Sequence, residues 1–195
     1  MKTFAEYYID LLKWEEEAPC ELISTWDSGL IKRIKNDFQK AATQTAIKGS
    51  VLEVREGSSN QSIGNQVETY TSAEMNKGLR VFLIEKCVGQ GYPDRILAEG
   101  NVRDIAFEMK ATSNWEDKDS NRTVLTSSSA KLRKRFKRPI YHLLCTTIYT
   151  INGWSVTIDS LRLDFIEPTS DVNIRLEASV SHKLLTNGDH ESIII

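Results

Sequence analysis

Four residues set the chemical possibilities of this chain: Pro93 and Asp94, then Glu108 and Lys110 in the run Phe107-Glu-Met-Lys-Ala-Thr112. Read in order, they form Pro-Asp, a spacer of 13 residues, then Glu-x-Lys. Two carboxylates can hold a hard divalent cation through oxygen, leaving the rest of its octahedral shell to water and phosphate oxygens. Such an ion polarises a phosphoryl group and acidifies a bound water. A lysine beside that water steadies the developing charge or orients the nucleophile. The expected chemistry is magnesium-dependent phosphodiester hydrolysis, with Asp94 and Glu108 as ligands and manganese able to substitute.

The elements around these residues must bring them together. Ile105, Phe107 and Met109 alternate with Asp104, Ala106, Glu108 and Lys110. That period of two predicts a strand over Val102–Ala111 with one apolar face, and Glu108 and Lys110 side by side on the other. Leu79–Val88 also reads as a strand, followed by the turn-forming Gly89-Gln-Gly91. A hairpin or bent ribbon would then set Asp94 beside Glu108. Upstream, Phe4, Tyr7, Tyr8, Leu11 and Leu12 are spaced for one helix stripe, which Pro19 ends. Asp27-Ser28 can cap a second helix whose buried stripe is Ile31, Ile34, Phe38, Ala41, Ala42 and Thr45. Val51–Val54 is a short strand or a helix end. A third helix carries Ile63, Val67 and Tyr70, with Gly78 expected just past its end at C′. Glu68 flanks its apolar face, and spacing alone leaves two roles open, a carboxylate aimed at the metal site or an exposed helix glutamate.

Beyond the motif, the polar stretch from Ala111 to Arg122 reads as a loop with one aromatic, Trp115. Thr126-Ser-Ser-Ser129 offers caps for a basic helix over Ala130–Lys137, stopped by Pro139. Tyr141–Ile151 is an apolar, β-branched run and reads as a buried strand. Asn152-Gly153 is a hairpin signal, with Trp154, Val156 and Ile158 alternating on the returning strand. Ile174, Leu176, Ala178 and Val180 alternate later. The sum is α+β with an α/β core: helices first, then a mixed β-sheet flanked by helices, in one domain over residues 1–195.

The net charge of −2 conceals an asymmetry. Ser120–Ile158, a run of 39 residues, has no Asp or Glu, yet holds Arg122, Lys131, Arg133, Lys134, Arg135, Lys137 and Arg138. A short basic run is often only a solvated helix face. An acid-free stretch of this length is the footprint of a phosphate-backbone binder. Residues Met1–Trp14 lack the apolar core of a signal peptide, and no apolar run reaches membrane-spanning length. The three cysteines are scattered without a CxxC pair, and Cys87 and Cys145 sit in apolar runs suited to buried, inert thiols. These features fit a cytoplasmic protein. His142, inside the apolar run, is expected in the core, and His182 and His190 have no partner at a useful spacing. There is no P-loop, HExxH or GxSxG signature.

With Pro93-Asp94 and Glu108-x-Lys110 placed on this framework, the chain resembles a type II restriction endonuclease of the PD-(D/E)XK nuclease superfamily. The resemblance covers about residues 61–151. It implies a restriction-endonuclease-like mixed sheet, with the aspartate and the Glu-x-Lys pair on neighbouring strands and a crossover helix beyond. It implies that Glu68, on the helix preceding the sheet, joins Asp94, Glu108 and Lys110 as a catalytic residue, with the backbone carbonyl of Met109 as a further metal ligand. It also places the segment after the Glu-x-Lys strand against double-stranded DNA. There Asn114, Asn121 and Arg122 suit base edges, and Ser127 and Ser128, with the basic Lys131, Arg133, Lys134 and Lys137, suit phosphates. A palindromic substrate implies a homodimer, and a cognate DNA methyltransferase is expected as a genetic rather than a physical partner. Two other functions remain open: a different nuclease of the superfamily, such as a junction resolvase or repair nicking enzyme, and a non-catalytic DNA-binding module.

Overall fold

The computed structural model describes residues 2–3, 6, 24–88, 93–113, 123–125, 140–176, 182–187 and 191–195. The expected first helix, the turn at Gly89-Gln-Gly91 and the basic helix over Ala130–Lys137 lie outside the described residues, apart from Glu6. So do Asn114, Asn121, Arg122, Ser127, Ser128, Lys131, Arg133, Lys134 and Lys137.

Among the described residues two long helices, each started by local chemistry, precede the main sheet. Helix α1 (Ser28–Gln44) is capped by Asp27, whose carboxylate accepts from the Leu30 N–H at 2.8 Å. Ile31, Ile34, Phe38, Ala41 and Ala42 fall on its buried side, as their spacing requires, whereas Thr45, expected on the same stripe, is the half-buried C-cap residue beyond the last turn. Helix α2 (Asn60–Gly78) is capped by Ser59 and buries Ile63, Val67, Thr71 and Met75. Gly78 is not the C′ residue. It is the last helical residue, and Leu79 is the cap. Its role is steric, because a Cβ there would lie 2.6 Å from the Ala41 Cα. The α1–α2 crossing therefore requires glycine at this position.

The main sheet has the strand order β11-β8-β7-β5-β4-β3. Its members are β3 (Leu83–Lys86), β4 (Arg95–Glu99), β5 (Arg103–Thr112), β7 (His142–Asn152), β8 (Ser155–Ile166) and β11 (Glu191–Ile194). Among the described strands, β5 and β7 run parallel and the other neighbours pair antiparallel. Strand β2 (Val51–Glu53) pairs with the start of β8 and β11 with its end. Two distant segments thus cover the outer edge of β8. A second sheet has the order β1-β9-β10-β6, formed by β1 (Lys2–Thr3), β6 (Thr123–Leu125), β9 (Asp171–Leu176) and β10 (His182–Asn187). The fold is α+β, as expected.

Three strands depart from the sequence expectations for physical reasons. The run from Leu79 yields a strand only from Leu83. The buried Asp37 carboxylate accepts from the N–H groups of Arg80, Val81 and Phe82, which gives those peptides partners outside any ladder. Periodicity gave no sign of strand β4, which the resemblance alone implied; Asp94 falls one residue before it rather than on it. The strand is too short and too uniformly buried, at Ile96, Leu97 and Ala98, to betray a period. Strand β5 has two buried faces rather than one apolar face. Val51–Glu53 resolves as a strand. Gly153, with φ +61°, and Trp154 form the two-residue turn between Asn152 and Ser155, so Trp154 is exposed at the tip rather than alternating along β8. Cys145 is buried, as expected, whereas Cys87 is half-buried.

The core lies between the helices and one face of the sheet. Phe38 meets Phe107 edge-on at 6.1 Å between ring centroids, and Trp26 meets Phe165 likewise at 4.9 Å. Ile105, Met109, Leu143, Cys145 and Leu163 complete that face. Thr71 of α2 contacts Thr147 of β7 on the same side. The opposite face of β5 carries Ala106, Glu108 and Lys110.

Candidate active site

Strand pairing puts the motif residues together. Arg95 pairs with Phe107 across β4 and β5, so Asp94, one residue before β4, falls beside Glu108. The Asp94 N–H donates to Glu108 Oε2 at 3.1 Å, closing a contact between residues 14 apart in sequence. Lys110 Nζ donates to Glu108 Oε1 at 2.5 Å. Glu108 is only 1% exposed, so its carboxylate relies on these two donors. The Asp94 side chain is exposed to solvent.

Burial and neighbouring charge explain the proton affinities. Burial raises the Glu108 pKa; the Lys110 ammonium opposes that rise, and Asp94 adds to it. Burial alone would lower the Lys110 ammonium, but the Glu108 and Glu68 carboxylates hold it above its ordinary value. Glu68, half-buried on α2, is pushed up to about 7. Burial is the main cause; Lys110 and Arg95 lower it, while Glu108 and Asp94 raise it. The structure therefore brings Glu68 into the electrostatic field of the motif rather than leaving it an exposed helix glutamate. His142 is fully buried in the sheet, and burial drives its pKa down to about 3, which leaves it a neutral core residue.

The backbone contributes as well. The Ala106 N–H donates to the Tyr141 carbonyl on the β7 side. Peptide groups alternate along a strand, so the Met109 peptide faces the other side, toward β4. Pairing with β4 ends at Phe107, so the Met109 carbonyl lies past the last β4 partner. Its side chain sits in the core.

Several neighbours of the site belong to no motif in the sequence. Arg95 follows Asp94 directly and acts on Glu68. Tyr149, which hydrogen-bonds Ser113, also feels Glu68. On β8, Arg162 pairs with Asp164 at 2.8 Å. Sheet register sets Lys110 beside Thr146, and Thr146 beside Arg162. Arg162-x-Asp164, set between Leu161, Leu163 and Phe165, repeats the pattern of charges at alternate positions in an apolar strand. That pattern was the available signal.

Among the described residues, no group of three or more His, Cys, Asp or Glu side chains is arranged to hold a metal ion. Donor type and charge nevertheless fit a hard divalent cation. Asp94, Glu108 and the Met109 carbonyl offer oxygen only, the donor type such an ion takes.

No protein-family model matches the chain, and no curated protein matches its sequence. Among solved structures it is similar to the NlaIV restriction endonuclease, with 16% identity over 85% of this chain and 70% of that chain, at a TM-score of 0.49. A likeness of that size concerns the course of the chain and says nothing of activity.

Proposed function

We propose that this chain is a magnesium-dependent endonuclease of the type II restriction kind, hydrolysing phosphodiester bonds in specific double-stranded DNA sequences. The observation that carries this reading is the convergence on Glu108, where the Asp94 peptide and the Lys110 ammonium meet one buried carboxylate. A strand pair kept only for packing gains little from burying a charge that needs two donors.

Asp94, Glu108 and the Met109 carbonyl would hold the metal, and manganese would substitute for magnesium. When bound, the ion supplies charge stabilisation at the phosphate and a more acidic water. Lys110 balances negative charge that grows on the phosphate oxygens as the bond to the leaving oxygen breaks. Glu68, on the helix beside these groups, would take the proton of the attacking water. Lys131, Arg133, Lys134 and Lys137 would supply phosphate affinity, and Asn114, Asn121, Arg122, Ser127 and Ser128 would meet the duplex; these roles rest on sequence. A homodimer with two-fold symmetry would place one such site on each strand of a palindrome.

The test is incubation of the purified protein with plasmid DNA and magnesium, followed by sequencing of the ends. Discrete ends at one recurrent sequence, lost in chelator and in Lys110→Ala, are expected. Full cutting in chelator, or undiminished cutting by Lys110→Ala, would sink the proposal.

A further inference from the structure

The N-terminal half of α2 carries a feature that the catalytic residues do not explain. A cleft of about 700 Å³ opens there, lined by Leu52 and Tyr70 together with the amides of Gln61, Asn65 and Gln66 and the hydroxyls of Ser59, Ser62 and Thr69. Among the described residues no charged side chain lines it. Most of these groups have internal partners. Ser59 Oγ accepts from the Ser62 N–H at 3.2 Å, Thr69 Oγ1 donates to the Asn65 carbonyl at 2.8 Å, and Gln66 Nε2 donates to the Ser62 carbonyl at 3.3 Å. The side-chain amides of Gln61 and Asn65 are exposed and have no hydrogen-bond partner among the described residues.

Position ties these two amides to the candidate active site. Gln61, Asn65 and Glu68 stand at i, i+4 and i+7, so they share one stripe of α2. Along the axis Asn65 is about 4.5 Å from Glu68 and Gln61 about 10 Å, at ~1.5 Å per residue. A cleft without charge does little to gather phosphates. A side-chain amide offers a donor and an acceptor in one plane, the pattern that bonds adenine N6 and N7 in the major groove. Both amides are mounted on a helix, which fixes their spacing.

We infer that Gln61 and Asn65 read base edges of duplex DNA next to the phosphate that Glu68 serves. This inference rests on the nuclease reading and adds to it the residues that set sequence preference.

The test uses Asp94→Asn protein, expected to be silent in cleavage, and a pool of duplexes with a randomised centre; the bound fraction is sequenced. Asn65→Ala and Gln61→Ala are each added to that background. Both sites are exposed within a helix, where alanine is well tolerated. Each variant is expected to relax preference at one base pair by about 5- to 150-fold, leaving the rest of the consensus intact. The salt dependence of binding should stay unchanged, because both side chains are neutral and meet bases rather than phosphates. An unchanged consensus in both variants overturns the inference. So does uniform weakening with a flatter salt dependence, and so does failure to select any duplex. Wild-type protein with magnesium is then tried on the selected duplex. Base-specific relaxation without wild-type cleavage refutes the nuclease reading and leaves this one standing. Cleavage with an unchanged consensus does the reverse.

Discussion

Glu68 gives the sharpest quantitative test, through the pH dependence of folding. Its pKa rises from 4.5 in a free chain to about 7 in the fold. The folded state therefore holds this proton more tightly than the unfolded chain. The stability so contributed is present in full below pH 4.5 and is lost as pH rises through about 7. At about 1.4 kcal/mol per pKa unit the full swing is about 3 kcal/mol, and partial contact with water reduces it to about 2. Glu68→Gln removes the titration but keeps most of the side chain. Urea unfolding of both proteins in chelator, from about pH 5 to about pH 8.5, should give similar stabilities at the acid end. At the alkaline end the variant should be more stable by about 2 kcal/mol. Glu108 titrates in both proteins, so the difference isolates Glu68 to within the usual coupling of neighbours. A gap that stays constant across the range, within about 0.5 kcal/mol, refutes the argument that burial and the adjacent carboxylates raise this pKa. In cleavage assays the same variant should lose activity, though less than Lys110→Ala.

Lys110→Ala should lower turnover by more than ~100-fold while leaving DNA binding measurable, and should also destabilise the fold by about 3 kcal/mol because buried Glu108 loses its cation; near-wild-type turnover in single-turnover assays would remove Lys110 from the mechanism. Magnesium should raise the unfolding midpoint more at about pH 8 than at about pH 5, since buried Glu108, whose pKa is raised, must lose its proton to bind it; calorimetric scans with an equal shift at both pH values would argue against Glu108 as a ligand. Gly78→Ala should destabilise by about 1–3 kcal/mol despite alanine's better helix propensity, because its Cβ meets the Ala41 backbone; a stabilised variant in urea unfolding would mean that the helices separate freely. Neutralising Arg133, Lys134 and Lys137 together should flatten the salt dependence of DNA binding in proportion to the phosphates these side chains neutralise, and an unchanged slope in filter binding would place them away from DNA.

The sequence by itself determined what depends on near neighbours. Asp27 as a cap, the stripe Ile31–Ile34–Phe38–Ala41 and strand β5 follow from local hydrogen bonding and periodicity, and the structure has all of them. The Glu-x-Lys pair was legible for the same reason, since residues two apart on a strand share a face. Tertiary structure alone decided what depends on partners distant in the chain. Asp37 bonds the peptides of Arg80, Val81 and Phe82 and so delays β3, which no pattern near Leu79 reveals. The requirement for glycine at position 78 comes from Ala41 on another helix. Asp94 owes its place beside Glu108 to β4, whose short apolar run has no period to read. Spacing left Glu68 between an exposed position and the site, because its pKa depends on burial by residues far along the chain and on Lys110, Glu108, Arg95 and Asp94 beyond its own helix. Local sequence fixes which groups a segment offers; packing fixes how much water each group loses and which charges it then meets.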